Sequence, residues 1–389
     1  MKTVVSITRC EDYAPTNVLS AVKEAVELLG GMEKFVQPGQ KVLLKPNLLS
    51  ARPPESAVCT HPSVVEAIAS LATEVGGRCF VGDSPSVGAE TPEGFERLLR
   101  TTGMRDVIER TGAPAVRFDD SGTERDIPKA RVFRRVLLTD ALDGADVLIN
   151  IPKFKTHELT LLSGAVKNLF GCVPGRRKVE FHLQAGNDPA MFAQLLADIS
   201  QVVRPNLSIM DGIVGMDGQG PAAGRRRNFG LILASSDAVA LDAAACVVAG
   251  VDPLAVPTLR LASEQGVGVA DPASIEIVGA QPEEVRIPDF LLPQEGDLLS
   301  RMPRPLHRLL RNQLVRSPVF LPRRCSGCRS CIETCPVHAI TGEGNHLSVD
   351  YSECIRCYCC QEVCPEEAIS VRSTPLRRVL EALSIIGRK

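Results

Sequence analysis

The sequence predicts an α/β fold, a mostly parallel sheet with helices on both faces, joined to a small C-terminal α+β domain of different character. Three observations lead there. Short apolar runs alternate with amphipathic helical patterns from the first residues to about residue 280, as expected of strands linked by crossover helices. Nine of the 14 cysteines fall between Cys325 and Cys364, so the end of the chain follows other rules. A length of 389 residues also exceeds what one hydrophobic core usually serves. The expected division is an α/β domain over 1–280, a Pro- and Arg-rich linker over 281–320, the cysteine-rich domain over 321–373 and a closing helix over 374–389.

Taken in order, TVVSI at 3–7, KVLLK at 41–45, CFVG at 79–82, DVLINI at 146–151, LSIM at 207–210, LILAS at 231–235 and IEIV at 275–278 are apolar runs of strand length. Between them, 18–29, 63–75, 94–99, 191–202 and 238–249 carry apolar residues at helical spacing. Thr16 with Asn17, and the stretch from Thr60 to Ser63, are polar starts suited to cap a first turn. In RMPRPLHRLLRNQLVRSP, Leu306, Leu309, Leu310 and Leu314 form a stripe beside arginines. That stripe suits packing on a domain, or binding to a membrane surface or an acidic donor protein.

Composition removes several classes. A formal net charge of −2 argues against a general nucleic-acid binder, which needs a basic face to displace counterions. No run approaches the roughly 20 apolar residues of a transmembrane helix. MKTVVSITRC alternates Val and Ile instead of forming a continuous apolar leader, so it reads as a first strand of a cytoplasmic protein. No secure flavin or nucleotide motif is present. The G-x-G-x-x-A string beginning at Gly218 contains Pro221 and lacks a strand-turn-helix frame.

The cysteines carry the strongest signal. CSGCRSCIETCPVHAI from Cys325 and CIRCYCCQEVCPEEAI from Cys354 repeat one C-x2-C-x2-C-x3-C-P-x-x-A-I frame, 29 residues apart. Two tight loops of this kind each aim three thiolates at one cubane, and the fourth cysteine of each run crosses to the other cluster. On that rule Cys325, Cys328, Cys331 and Cys364 hold one [4Fe-4S] cluster, and Cys335, Cys354, Cys357 and Cys360 hold the second. Structural zinc would explain neither the third cysteine of each loop nor the repeated proline. Cys359 stands outside the frame as a bystander, while Cys10, Cys59, Cys79, Cys172 and Cys246 suit small apolar packing positions. Residues 320–373 resemble bacterial-type two-cluster ferredoxins, which implies single-electron transfer.

Polar residues recur just past the predicted strands: Lys45 and Asn47, Asp83 and Ser84, Asn150 and Lys153, Asp211, then Ser236 and Asp237. Open α/β sheets bind ligands at that edge. Loops are also polar for ordinary reasons, and Asp and Ser cap helices, so it is the agreement of five strand ends that points to a site.

LLKPN at 43–47, THPSVVEA at 60–67, GDSP at 82–85, NIPKFKTH at 150–157, GAVKNLFG at 164–171, DGIVGMDGQGP at 211–221 and SSDAVALD at 235–242 together resemble the bacterial and archaeal "domain of unknown function 362" family. Members of that family often carry a C-terminal two-cluster ferredoxin module. The resemblance spans nearly the whole chain and implies no general reaction.

Lys153, Lys155, His157, Lys167 and Asn168 concentrate positive charge within the 22 residues of NIPKFKTHELTLLSGAVKNLFG at 150–171. If the segment folds back as a hairpin, the lysines converge, and clustered ammoniums call for an anion. Solvated lysines, or pairs with Asp83, Asp211, Asp237 and Asp242, are the plainer alternative. Gly218 and Gly220 in GMDGQGPAAGRRR could bring backbone N–H groups to an anion or simply form a turn. Lys45, Lys153, Lys155 and Lys167, with His61 and His157, are the candidate proton-transfer groups, and His182 is a further histidine. Asn47, Asp83, Ser84, Asn150, Asn168, Asp211, Gly218, Gly220 and Asp237 are the candidate substrate contacts. The expected function is an iron-sulfur oxidoreductase that reduces a small anionic, conjugated or aromatic substrate with electrons from a ferredoxin- or flavodoxin-type donor. The alternative is a non-catalytic electron-transfer or metallocentre-assembly partner of another redox enzyme.

Overall fold

Period-two alternation of apolar side chains builds a sheet with two buried faces. The computed structural model describes residues 2–85, 89, 91–175, 177–185, 188–293 and 315–374. The leucine stripe at 306–314 and the closing helix lie outside the described residues, apart from Thr374 at its start. The strands are β1 (Thr3–Arg9), β2 (Lys41–Pro46), β3 (Arg78–Asp83), β4 (Ala115–Arg117), β5 (Gly122–Asp126), β6 (Arg135–Thr139), β7 (Val147–Ile151), β8 (Lys153–His157), β9 (Leu161–Leu162), β10 (Leu207–Asp217), β11 (Arg225–Ser235) and β12 (Ile275–Gly279). The helices of this region are α1 (Pro15–Glu27), α2 (Pro62–Glu74), α3 (Pro92–Thr101), α4 (Met104–Thr111), α5 (Ala165–Asn168), α6 (Arg177–Ala185), α7 (Pro189–Ile199), α8 (Ala238–Val248) and α9 (Pro257–Glu264).

The main sheet runs β12-β1-β11-β10-β7-β2-β3-β4, with β8 beside β10 and β9 beside β8, while β5 and β6 pair separately. Every pairing along that path is parallel except the two made by β11, which runs antiparallel to both β1 and β10. Val42, Leu44, Ile149, Ile209 and Ile232 pack on one face under α1 to α4. Their neighbours Leu43 and Leu148 pack on the other face under α7, and Met210, Leu231 and Leu233 pack under α8 and α9. Side chains alternate between the faces of a strand, so each strand serves both cores.

Helix starts are marked in the sequence. Five helices begin at proline, where the missing N–H is no loss. His61 rather than Thr60 caps α2, its Nδ1 accepting the Ser63 N–H at 3.2 Å. Ahead of α1, Asp12 accepts from Ala14 N–H and Asn17 Nδ2, so Thr16 and Asn17 lie inside the helix and provide no cap.

The C-terminal region is a separate, smaller unit of β13 (Ser317–Phe320), α10 (Ser330–Glu333), β14 (Ile340–Glu343), β15 (His346–Val349), α11 (Cys359–Val363) and β16 (Ile369–Arg372). β13 pairs with β16 and β14 with β15, both antiparallel. Among the described residues no helix is long and apolar enough to cross a membrane.

Candidate active site

The cysteines of the small unit gather around two apolar cavities. Cys325, Cys328, Cys331 and Cys364 ring one of about 310 Å³, with Phe320, Leu347 and Ile369 in its wall. Cys335, Cys354, Cys357 and Cys360 ring the other, about 340 Å³, with Ile340, Val349 and Tyr358. Four thiols around an apolar void fit a bulky cluster. Among the described residues no three His, Cys, Asp or Glu side chains converge closely enough to hold a single ion. Cys359 faces away, into a third cavity.

At the carboxyl edge of the large sheet, buried ion pairs fasten the strand ends. Lys45 Nζ lies 2.8 Å from Asp83 Oδ1, and both side chains are almost wholly buried. Asp83 also accepts from the Leu48 and Ser84 N–H groups. Gly171 passes directly over this pair: a Cβ there would stand 2.3 Å from Asp83 Oδ1 and 2.6 Å from Lys45 Nζ. The second pair is Lys153 with Asp211 at 2.7 Å, and Lys153 also donates to the Tyr13 hydroxyl at 2.7 Å. Asp211 accepts from Tyr13 Oη, His61 N–H and Ile213 N–H as well.

The expected exposed loop at Lys153 is a buried strand. Pro152 ends β7, and the chain restarts as β8 along β10, with all five residues of KFKTH buried. The chain then folds back through β9 as a hairpin, and Lys155 feels the charges of both Lys167 and Lys153, but each lysine has its own surroundings. Lys155 donates to Asn47 Oδ1 at 2.8 Å and to the Val58 carbonyl. Burial pushes its ammonium down to about 7. From Asn47 an amide chain continues: Asn47 Nδ2 donates to Asn168 Oδ1, and Asn168 Nδ2 to Asn150 Oδ1. Asn150 lies behind the other two, fully buried.

Of the three lysines in the expected cluster, Lys167 alone lines the cleft, with Asn168 beside it. A cleft enclosing about 730 Å³ is lined by Lys167, Lys178, Asn47, Asn168, Asp83, Ser84, His182 and Phe170 from the sheet side. Thr334, Cys359, Glu362 and Val363 of the small unit close its opposite wall. Lys167 has no hydrogen bond or ion pair among the described residues, and burial lowers its pKa, opposed by the charge of Glu362. Its turn is held from behind by Asp242, which accepts the Ala165 and Val166 N–H groups. Gly164 is required there, since a Cβ would come within 2.0 Å of Asp242 Oδ1. The two glycines of GAVKNLFG thus bring one turn close to two carboxylates while its lysine projects into the cleft.

Lys178, which no sequence pattern singled out, sits at the far end. Its Nζ donates to the Ser84 carbonyl, to Ser84 Oγ at 2.6 Å and to the Pro85 carbonyl at 2.8 Å. Burial lowers its pKa to about 8, against the pull of Asp119 and Asp83. His157 does not reach the cleft as a free base. Its Nδ1 accepts from Leu159 N–H, so Nε2 carries the proton and donates to Glu362 Oε1 at 3.0 Å, tying β8 to α11. Burial takes His157, His182 and His61 each down to about 4, which leaves all three imidazoles neutral at pH 7. His182 stacks on Phe192 at 4.4 Å, and His61 stacks on Tyr13 at 3.6 Å.

Three expected contacts lie elsewhere. Asp237 follows β11, the antiparallel strand, and so stands at the opposite edge of the sheet, where it caps α8 through Val239 and Ala240 N–H. Gly218 and Gly220 form the β10-β11 turn, and their N–H groups are spent on the Leu291 and Gly218 carbonyls. That turn also supports the small unit: Gln219 Nε2 donates to the Val371 carbonyl at 3.0 Å. Arg52 bridges the Ala222 carbonyl, Glu367 and the Cys364 carbonyl, and Arg316 pairs with Glu158 at 2.9 Å.

Comparison with known proteins places this geometry in a family. Residues 42–247 match the profile of the domain of unknown function DUF362. The chain belongs to that family. Residues 317–365 match the 4Fe-4S dicluster domain, and this C-terminal region binds two [4Fe-4S] clusters. The DUF362 chain is 36% identical over 292 residues to a thylakoid-associated protein of Synechocystis, covering 75% of this chain and 88% of the relative. Among solved structures it is similar to the lactate racemase apoprotein of Thermoanaerobacterium thermosaccharolyticum, at 13% identity and a TM-score of 0.41, over 65% of this chain and 58% of that one. It is also similar to a Thermotoga maritima protein, at 14% identity and a TM-score of 0.37, over 66% of this chain and 60% of that one. It thus spans less than two thirds of either solved chain. Cluster binding gives this family member an iron-sulfur-linked redox role.

Proposed function

We propose that this DUF362 protein is an iron-sulfur reductase that acts on a small anionic substrate with a conjugated or aromatic body, held in the cleft between the sheet edge and the cluster unit. One observation carries the reading: the cleft that holds the unpaired Lys167 is walled on its other side by Thr334, Cys359 and Val363, chain neighbours of Cys335, Cys360 and Cys364. Leu48, Phe170, Val179 and Val363 offer apolar walls for a planar body. Lys167 supplies the charge for a carboxylate or similar anion.

Each cysteine quartet holds one cluster in this reading, and the clusters supply single electrons. Reduction of one double bond consumes two electrons, from a ferredoxin- or flavodoxin-type donor protein, and two protons. Lys178 gives one proton to the bound substrate by releasing one of its three bonds to Ser84 and Pro85, and solvent gives the other. With a pKa near 8, Lys178 is charged at pH 7 and can act as an acid. Turnover under saturating electron supply is therefore expected to be flat near pH 7 and to fall as pH rises through about 8. A rate that climbs through that range would remove Lys178 from the role. A cytoplasmic setting accompanies this reading.

Iron analysis tests the cluster assignment. Eight framed thiols should hold about eight irons per chain, with absorbance that dithionite bleaches. Cys359→Ser should leave the iron unchanged, and Cys364→Ser should lose up to half; two zinc ions in place of iron would overturn it. The function itself is tested by anaerobic reoxidation of the photoreduced chain with benzoate and cinnamate as probes of the class. Cluster reoxidation with formation of the dihydro product supports the reductase. Reoxidation by a partner protein alone, with no product from any carboxylate of a wider panel, would favour an electron-transfer partner instead.

A further inference from the structure

The two halves of the cysteine repeat differ in charge and exposure, and the difference gives the electron path a direction. The first loop reads RRCSGCRSC and the second SECIRCYCC, aligned at the 29-residue offset. Arg323, Arg324 and Arg329 of the first loop therefore correspond to Ser352, Glu353 and Tyr358 of the second. All three arginines are exposed, and none has an ion pair or side-chain hydrogen bond among the described residues. The one arginine of the second loop, Arg356, is buried and donates to the Cys354 carbonyl. One pair of corresponding thiols follows the same division. Cys328 is exposed, whereas its counterpart Cys357 is buried, as are Cys359 and Cys360 beside it. The second loop faces the cleft, and the first faces solvent. Glu366 is the single acid lining the first cavity.

We infer that the surface around Arg323, Arg324 and Arg329 is the docking face for an acidic electron-donor protein, which delivers electrons to the cluster of the outer quartet. This inference rests on the reductase reading for the direction of flow. Three unpaired arginines cost little to desolvate against carboxylates and steer a negatively charged carrier toward the exposed Cys328. Electron-transfer encounters bury little area, typically below about 1,200 Å², so steering by charge decides their rate. An anionic membrane would meet the same arginines, but a membrane offers no electrons, and the arginines surround a cluster rather than an apolar face.

The test is anaerobic stopped-flow reduction of the full chain by a reduced acidic flavodoxin, followed by cluster bleaching, with no small substrate present. The rate should fall steeply between about 20 mM and about 200 mM salt, as screening shortens the reach of the charges. The triple variant Arg323→Glu, Arg324→Glu, Arg329→Glu should react roughly 10- to 100-fold more slowly at low salt. Its iron content and its reduction by photoreduced deazariboflavin, a small neutral reductant, should match the parent. A triple glutamine variant, which introduces no repulsion, should fall between the two. A salt-independent rate in the parent, or equal rates in parent and glutamine variant, would overturn the docking face. So would binding of the parent to phosphatidylserine vesicles through these arginines with flavodoxin rates unaffected by their removal. Because no substrate is present, failure of reductase turnover would leave this result standing, and the converse holds equally.

Discussion

Lys153→Ala is expected to destabilise the large domain by about 3 kcal/mol, the lower end of what breaking a buried ion pair costs. The lower end applies because Asp211 would keep three donors: the Tyr13 hydroxyl and the His61 and Ile213 N–H groups. The loss still exceeds what a solvated lysine could cause, since both partners are buried and the Tyr13 hydroxyl would lose one of its two donors, keeping only the Val214 N–H. Urea unfolding followed by far-UV circular dichroism reads the effect as a lower midpoint with an unchanged slope. Lys153→Met combined with Asp211→Asn should recover a large part of it, because no uncompensated charge then stays buried. An alanine variant as stable as its parent would mean that Lys153 is a functional cation held ready for a ligand, and the assignment of roles among the lysines would have to be reversed.

The framework of this fold was legible because strands buried on both faces read as short apolar runs and the helices between them carry apolar residues at helical spacing. The cysteine frame was legible because cluster ligation demands fixed spacing. What could not be read was which lysines pair. Lys45 and Asp83 are 38 residues apart and meet because β2 and β3 are neighbours in parallel register. Lys153 and Asp211 are 58 residues apart and meet through the pairing of β8 with β10. A sequence shows charges, whereas partners follow from strand order. Asp237 misleads for a related reason: LILAS resembles its parallel neighbours in composition, and nothing in it tells that β11 runs the other way. Lys178 was lost in the run GRRKVEF, where it looks like any surface charge. Glu362 was hidden among the cysteines. The one clue to Lys167 was local, a lysine between Gly164 and Gly171, each glycine pressed against a carboxylate.

Lys167→Ala should weaken binding of an anionic ligand about 10- to 100-fold, the loss expected for a charged hydrogen bond of roughly 1.5–3 kcal/mol. The same change should cost the fold little, because the ammonium has no protein partner to strand. Its removal even relieves a cation that burial disfavours, so stability should stay within about 0.5 kcal/mol of the parent or rise slightly. This is the opposite pattern to Lys153→Ala, and the contrast separates a ligand site from a structural pair within one short segment. Lys167→Arg should restore charge but not full affinity, since the planar fork fills a cleft shaped for a single ammonium. Calorimetric titration with benzoate, together with turnover at saturating electron supply, reads both quantities, and cluster absorbance should match the parent in each variant. Should Lys167→Ala bind the anion as well as its parent while Lys178→Ala does not, the anion belongs at the Ser84 end of the cleft, and Lys167 answers only the charge of Glu362.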